Sequence, residues 1–268
     1  MNDKNVHGYD PRENSRLQYK ATTLAELLHS DTHYPEGSEV LEAGCGVGAQ
    51  TIPLARNSPG AHITAVDISE TSVAEARRKI EAAGLDNVSF RQADIFDLPF
   101  EAEAFDHLFI CFVLEHLAHP LKALNSLKRL LKAGGTVTVI EGDHGSTLFH
   151  PDSDAARKAI QCQVELQKRA GGNANIGREL YPLLNAAGFC HVHVSPRMVY
   201  ADAGRPHLVE GFTRKTYTAM IEGVREAAVE AGLIGADIFD EGIRDLYRAA
   251  QNDGVFCYTF FKAVASRP

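Results

Sequence analysis

Three glycines lie within five positions, between an apolar segment and a helical pattern. Gly44, Gly46 and Gly48 directly follow Val40–Ala43. Glycine lets the backbone turn sharply and approach a ligand where a Cβ atom would collide, and the first N–H groups of the next helix lack partners within it. The spacing therefore predicts a ligand-binding turn between a strand and a helix, or a tight turn that binds nothing. Gly44, Gly46 and Ala49 also fit the loose dinucleotide pattern GxGxxA, so the loop alone does not identify the ligand.

Two acidic residues end the next two predicted strands. Asp67 follows the glycine loop by about 20 residues, where a carboxylate would accept hydrogen bonds from both hydroxyls of a ribose. An acidic side chain at Asp94 suits an adenine amino group, and Ile68 or Ile95 suits the face of the ring. Each aspartate alone is also typical of a helix N-cap or a turn. Together with the loop they mark successive strand ends, the ligand-binding edge of an open α/β sheet.

These residues carry a family resemblance. The segment Glu42-Ala-Gly44-Cys-Gly46-Val-Gly48 resembles the E/DxGxGxG motif of class I S-adenosylmethionine-dependent methyltransferases, and Asp67 and Asp94 match that family's acidic residues after strands two and three. Three further segments resemble the fourth-strand motif and the LkPGG turn of its ubiquinone/menaquinone-biosynthesis branch: Phe105–Leu108, Leu114–Leu117 and Leu131–Gly135, in which Ala133 replaces the usual proline. The likeness extends over residues 36–143.

The resemblance implies a fold, a cofactor and a set of contacts. The fold is α/β, with a doubly wound, mostly parallel seven-stranded sheet of order 3-2-1-4-5-7-6, an antiparallel last strand and helical cap insertions. The cofactor is S-adenosyl-L-methionine, which leaves as S-adenosyl-L-homocysteine. Glu42, Gly44 and Gly46 would hold the methionyl end, Asp67 the ribose, and Asp94 with Ile95 the adenine. The full set of implied cofactor-binding residues is Tyr9, Glu42, Gly44, Cys45, Gly46, Gln50, Asp67, Ile68, Asp94 and Ile95.

Two histidines are candidates for proton transfer. Methyl transfer from a sulfonium is an in-line displacement that mainly needs positioning, and a base is required only for a protonated acceptor. His116 follows the fourth strand and is alternatively a cap for the next helix. His144 lies in the polar segment EGDHGS, which predicts a loop after the fifth strand. Glu141 and Asp143 resemble a carboxylate pair for a metal, but no third ligand is identifiable, so no metal site is predicted.

Apolar runs alternate with helical patterns along the chain, which is typical of βαβ units. The patterns predict strands at 39–43, 63–66, 88–92, 105–112, 136–141, 191–200 and 255–265. They predict helices at 12–30, from the glycine loop to 55, and at 69–83, 120–131, 153–170, 177–187 and within 207–250.

The domain prediction is one methyltransferase domain over residues 1–268. Residues 1–35 are expected to form an N-terminal helical lid. The segments 145–187 and 205–252 are expected to form helical caps over the acceptor site, the alternative being solvated helices without a ligand role.

Composition excludes several functional classes. With 27 basic and 35 acidic residues, the formal net charge is −8. Such a charge repels polyphosphate and predicts no nucleic-acid partner and no anionic membrane partner. No apolar run reaches the roughly 18–20 residues of a spanning helix, and the first 20 residues lack the pattern of a secretory signal. Five dispersed cysteines without a CxxC pair favour reduced thiols and a cytoplasmic location.

The sequence thus predicts an enzyme that transfers a methyl group to an oxygen or carbon atom, less readily nitrogen, of a small organic acceptor, acting as a monomer or homodimer. Three alternatives remain open at this point. One is a regulator that binds S-adenosylmethionine or a nucleotide without catalysis. The others are an NAD-dependent oxidoreductase and an enzyme that methylates protein.

Overall fold

The computed structural model describes residues 11–268, except for the side chains of residues 11–15, 17 and 18. Its strands are β1 (Glu39–Ala43), β2 (His62–Asp67), β3 (Val88–Gln92), β4 (Phe105–Cys111), β5 (Leu131–His150), β6 (Cys190–Ala201) and β7 (Val255–Ser266). Its helices are α1 (Pro11–His29), α2 (Thr51–Asn57), α3 (Glu70–Ala82), α4 (Pro120–Leu130), α5 (Asp154–Arg169), α6 (Leu180–Ala186), α7 (Pro206–Leu208), α8 (Ala219–Gly223), α9 (Arg225–Glu230) and α10 (Ala236–Arg248). Short 3-10 helices span Leu114–His116 and Ile176–Glu179, and a π-helix spans Val209–Thr218.

The seven strands form one sheet in the order β3-β2-β1-β4-β5-β7-β6. β1 pairs in parallel with β2 and β4, β2 with β3, and β4 with β5. Cys190 contacts Ser266, and Ser195 contacts the carbonyl oxygen of Lys262, so residue numbers rise along β6 as they fall along β7. These two strands are therefore antiparallel. The predicted fold class and strand order are confirmed.

The interior strands are apolar because neighbours cover both of their faces. In β1, Val40, Leu41 and Ala43 are buried, and Leu41 lies in register with Thr64 of β2 and Leu108 of β4. A parallel strand in such a position has no solvated face, which explains why consecutive residues of β1 are buried, Glu42 among them. The glycine loop follows the carboxyl end of β1 and therefore lies at one edge of the sheet.

Local sequence signals set both ends of α3, which begins at this edge of the sheet. Ser69 caps α3 by accepting a hydrogen bond from the N–H of Ser72 at 3.2 Å. Gly84 follows the last turn with φ +66°, a conformation that glycine adopts without strain, and its N–H donates to Glu81. The predicted α3 is thus confirmed to within one residue at each end.

The prediction for the fifth strand is wrong in extent. The strand runs from Leu131 to His150, whereas the apolar pattern predicted only 136–141. His144 therefore lies within β5 and not on a loop after it. Glycines and an aspartate in this segment are typical of turns, and they obscured the continuation of the strand.

The helical region near the chain end is interrupted. Within 207–250, the range predicted to contain helix, the chain forms α7, the π-helix and α8 to α10. In the π-helix, the hydroxyl of Thr216 donates to the carbonyl oxygen of Gly211 at 2.7 Å, five residues earlier. Such wider turns occur frequently at functional sites.

The chain divides into two compact units. Unit 1 contains Gly142–Ile176, Arg197–Phe260 and the described part of Met1–Leu24. Unit 2 contains Ala25–Glu141, Gly177–Pro196 and Phe261–Pro268. Among the described helices, none has an apolar stretch long enough to cross a bilayer.

Candidate active site

The glycine loop in unit 2 is held by the second strand. The N–H groups of Gly44 and Cys45 both donate to the carbonyl oxygen of Val66, at 2.8 and 2.9 Å. Gly44, Gly46 and Gly48 have φ values of +81°, +51° and +76°. Side chains with a Cβ atom rarely adopt this region, so the spacing of the three glycines follows from the path of the backbone.

The glycines differ in what surrounds them. A Cβ atom on Gly44 would lie 2.5 Å from Cγ2 of Val113, the second residue after β4, so packing requires the glycine there. A Cβ atom on Gly46 would meet nothing within 4 Å. Gly46 therefore borders open space at the strand ends, as a loop that receives a ligand must.

Asp67 connects the second strand to the glycine loop. Its Oδ2 accepts from the N–H of Gly46 at 2.8 Å, and its Oδ1 accepts from the N–H of Ser69 at 2.9 Å. Burial raises the pKa of Asp67, and these N–H donors oppose the rise. A carboxylate has about four acceptor positions, so the two oxygens keep capacity for hydroxyl donors. The structure thus joins two of the predicted cofactor motifs through one side chain.

The predicted adenine side is exposed. Ile68 is 60% exposed, which is unusual for a large apolar residue at a strand end and fits the face of a ligand ring. Asp94 is exposed as well, and its Oδ1 accepts from the N–H of Phe96 at 2.9 Å, a turn-forming bond. Ile95 is partly exposed. The turn role of Asp94 is thus observed, and its contact with adenine stays a prediction.

Glu42, in β1 just before the loop, has a buried carboxyl group. The residue is 2% exposed, and its Oε2 has no hydrogen-bond partner among the described residues. Burial raises the pKa of Glu42 to about 7, and the nearby Asp67 carboxylate adds to the rise. A buried acid with an open acceptor position suits a cationic neighbour, such as the ammonium or sulfonium group of the implied cofactor.

Glu42→Gln is expected to stabilise the protein above neutral pH. Between pH 4.5 and about 7 the folded protein holds a proton on Glu42 that the unfolded chain releases, so stability falls as pH rises through this range. The variant lacks this loss and should gain about 3 kcal/mol relative to the parent protein between pH 4.5 and 8. Urea unfolding of the ligand-free proteins at both pH values measures the difference.

Glu101→Gln serves as the matched control, since Glu101 is an exposed carboxylate between β3 and β4. The difference in stability between Glu101→Gln and the parent protein should stay the same across this pH range. Equal stabilities of parent and Glu42→Gln protein across the range would mean that Glu42 ionises freely in the folded state.

The structure describes two of the three remaining residues that were predicted to bind the cofactor. Cys45 is buried, and burial raises the pKa of its thiol, so its observed contribution is through the backbone. The amide Oε1 of Gln50 lies 2.7 Å from Nε2 of His29. Tyr9 lies outside the described residues.

The segment after β4 lines the loop and is anchored by β5. Glu141 is fully buried, and its Oε1 accepts from the N–H groups of Val113 and Leu114, at 3.0 and 2.7 Å. Glu141 thus has a structural role, since it holds the backbone of the segment that follows β4. His116 ends the 3-10 helix with an exposed ring, 3.7 Å from the carboxylate of Glu115.

His144 is fixed by its neighbours in unit 1. The residue is 6% exposed, and both its backbone N–H and its Nδ1 lie 3.1 Å from the carbonyl oxygen of Ala174. Tyr258 Oη lies 3.2 Å from the same Nδ1. Because a carbonyl oxygen only accepts, the contact with Ala174 places the ring proton on Nδ1. In neutral imidazole the lone pair then lies on Nε2, the nitrogen that can accept a proton.

Aromatic side chains that the sequence analysis missed surround His144. The rings of Tyr217 and Tyr258 lie 5.8 and 5.7 Å from its ring, and Tyr217 Oη is 2.7 Å from Oγ1 of Thr147. Phe256, Tyr258 and Phe260 occupy alternate positions of β7 and so share a face. This alternation in the sequence predicts an aromatic face on β7, but it does not show which residue packs against that face.

The model of a methyltransferase domain family matches residues 35–188, more than half of the chain. The chain belongs to this methyltransferase domain family. The predicted resemblance to class I S-adenosylmethionine-dependent methyltransferases of the ubiquinone/menaquinone-like branch is confirmed, and S-adenosylmethionine is the cofactor of this class.

Two relatives illustrate the likeness. This chain is 34% identical over 221 residues to an uncharacterised 37.1 kDa transposon protein of Streptomyces fradiae, covering 80% of this chain and 63% of the relative. It is 39% identical over 105 residues to a demethylmenaquinone methyltransferase of Clavibacter sepedonicus, covering 39% of this chain and 41% of the relative. The chain thus spans less than two thirds of the length of these relatives.

One solved structure shows the shared fold. Phosphoethanolamine N-methyltransferase 2 of Haemonchus contortus, solved with phosphomonomethylethanolamine and S-adenosylhomocysteine, has a TM-score of 0.57 and 18% identity. The likeness covers 92% of this chain and 53% of that chain. At this identity it supports the fold alone.

Proposed function

We propose that the whole protein transfers the methyl group of S-adenosylmethionine to an oxygen or carbon atom of a small organic acceptor. One observation carries the proposal: the carboxylate of Asp67 accepts a hydrogen bond from the N–H of Gly46, so the acid at the end of β2 lies against the glycine loop. The open space at Gly46 and the exposed face of Ile68 support a nucleoside ligand there.

Different residues would bind different parts of S-adenosylmethionine, the methyl donor. Glu42, Gly44, Gly46 and Gln50 would hold its methionyl end, with the backbone of Cys45 in the same loop. Asp67 would accept from its ribose, while Asp94, Ile68 and Ile95 would take its adenine. Tyr9 would bind its carboxylate. When bound, S-adenosylmethionine supplies an already activated methyl group, so the chain needs to align the acceptor and exclude water.

His144 is proposed as the proton acceptor. Its Nδ1–H donates to the carbonyl oxygen of Ala174. Nε2 is then the nitrogen that would take a proton from the atom that receives the methyl group. His116 is the weaker candidate because its ring is exposed and, among the described residues, no hydrogen bond is found that would fix its tautomer.

The acceptor class and cellular setting are part of the same proposal. The segments 1–35, 145–187 and 205–252 would act as lid and caps of a single methyltransferase domain. A net charge of −8 supports a small-molecule acceptor over a nucleic acid. Five free thiols suit a cytoplasmic location, and the proposed state is a monomer or homodimer.

Label transfer tests the proposal. Methyl-labelled S-adenosylmethionine is incubated with a cytoplasmic extract separated into metabolite and protein fractions, with enzyme-free and Asp67→Ala controls. We expect label in a metabolite that depends on intact Asp67, and mass spectrometry of the product then identifies the methylated atom. Label in the protein fraction alone would contradict a small-molecule acceptor. Binding of S-adenosylhomocysteine without transfer would favour the regulator, and displacement by NADH would favour the oxidoreductase.

A further inference from the structure

The end of α1 meets the glycine loop through one buried histidine in unit 2. His29 is 1% exposed, and its Nε2 lies 2.7 Å from Oε1 of Gln50, the residue between the loop and α2. The backbone oxygen of His29 accepts from the side-chain amide of Asn57, the last residue of α2, at 2.7 Å. A single residue thus holds both ends of the helix that follows the loop.

A buried lysine fixes the position of His29 from the other side. Lys262 is 3% exposed, and its ammonium group donates to Asp31 at 2.6 Å, to Thr32 at 2.5 Å and to the carbonyl oxygen of Leu28 at 3.4 Å. These three partners flank His29 in sequence. A buried ammonium with three acceptors is strongly constrained, so the chain around His29 has little freedom to move.

The tautomer of His29 follows from its surroundings. Its Nδ1 is buried and has no hydrogen-bond partner among the described residues, while Nε2 faces an amide oxygen. A buried N–H without an acceptor is rarer in proteins than an acceptor without a donor, so the proton belongs on Nε2. Nε2–H then donates to Oε1 of Gln50 and fixes which side of the amide faces His29.

This bond determines what Gln50 presents to a ligand. Because Oε1 accepts from His29, the amide nitrogen is the polar atom that remains for a ligand. Gln50 is partly exposed at the exit of the loop. Among the described residues, no hydrogen bond of that nitrogen is found. Its two N–H groups suit a carboxylate and do not suit an ammonium group.

We infer that His29 is a positioning residue that orients the Gln50 amide to bind the carboxylate of the methionyl group, and this inference rests on the proposed function. It predicts a difference between two ligands that differ by that carboxylate only: S-adenosylhomocysteine and its decarboxylated analogue. A loss of general order in the loop would weaken both ligands alike.

The test is calorimetry of both ligands with His29→Phe, which keeps an aromatic ring next to Phe109 but lacks the N–H. We expect about 5- to 10-fold weaker binding of S-adenosylhomocysteine and less than about twofold change for the decarboxylated analogue. His29→Gln supplies an amide N–H and should restore part of the loss. His33→Phe, at an exposed position just after α1, is the control.

The outcomes separate the two proposals. Equal weakening of both ligands, or no weakening of S-adenosylhomocysteine, overturns the positioning role of His29 alone. Failure of the parent protein to bind S-adenosylhomocysteine overturns the proposed function and this inference with it. Gln50→Leu should repeat the ligand difference, and combining it with His29→Phe should add little, because both changes remove the same contact.

Discussion

His144→Asn is expected to lower turnover by about 100-fold or more while S-adenosylhomocysteine binds as before. Asparagine places its amide nitrogen near the position of Nδ1, so the bond to Ala174 can persist while Nε2 is lost. The expected loss is therefore that of the proton acceptor and not of the local fold. Initial rates of label transfer, with donor affinity from calorimetry, measure the two effects separately.

Two comparisons make this result interpretable. His193→Ala changes an exposed histidine of β6 and should leave the rate unchanged. Tyr258→Phe removes the second oxygen near Nδ1 but leaves Ala174, so only a small loss is expected. If His144→Asn keeps its turnover within about threefold, a value far below the effect of general bases, His144 is not the base. A matching loss in His116→Ala would then move that role to His116.

The donor half of the site was largely predictable because its signals are local. The glycine spacing and the apolar run before it fix a strand, a turn and a helix within about 20 residues, as parallel α/β units require. Asp67 and Asp94 then follow from counting strand ends. The bond from Asp67 to Gly46 was not predictable, since both residues were assigned to the ligand and not to each other.

The acceptor half was less predictable because it depends on contacts between distant segments. His144 was predicted on a loop from the glycines and aspartate around it, but it lies within β5. Its partners Ala174 and Tyr258 are 30 and 114 residues away in sequence. Local turn propensity points away from a strand here, and the observed strand forms with tertiary contacts that override it. Tyr217 lies in a π-helix, for which the sequence carries no periodic signal.

The same dependence on distant contacts explains why the role of His29 was missed. The spacing of its leucines predicts the helix α1, and a histidine in the last turn of a helix is common. His29 therefore gives no functional signal in the sequence. Its partners are Gln50, just before α2, and Asn57 at the end of α2, and Lys262, which contacts the neighbouring Thr32, lies 230 residues after it. Only the three-dimensional arrangement connects the end of α1 with the exit of the glycine loop.

Asp67→Ala is expected to weaken donor binding by about 1–3 kcal/mol, because the ribose hydroxyls lose a charged acceptor. The structure adds a second cause, since the same carboxylate holds the N–H groups of Gly46 and Ser69. Asp67→Asn keeps one acceptor oxygen and is the milder variant. Calorimetry with S-adenosylhomocysteine and with its 2′-deoxyribose analogue separates ribose recognition from support of the loop.

If Asp67 binds the ribose, the substitution should weaken the parent ligand by about 1 kcal/mol more than the deoxy analogue, which already lacks a hydroxyl. Equal losses for both ligands would assign Asp67 to the loop alone, and ribose recognition would then belong to another residue. Asp86→Asn, an exposed aspartate between α3 and β3, is the control and should leave both affinities unchanged.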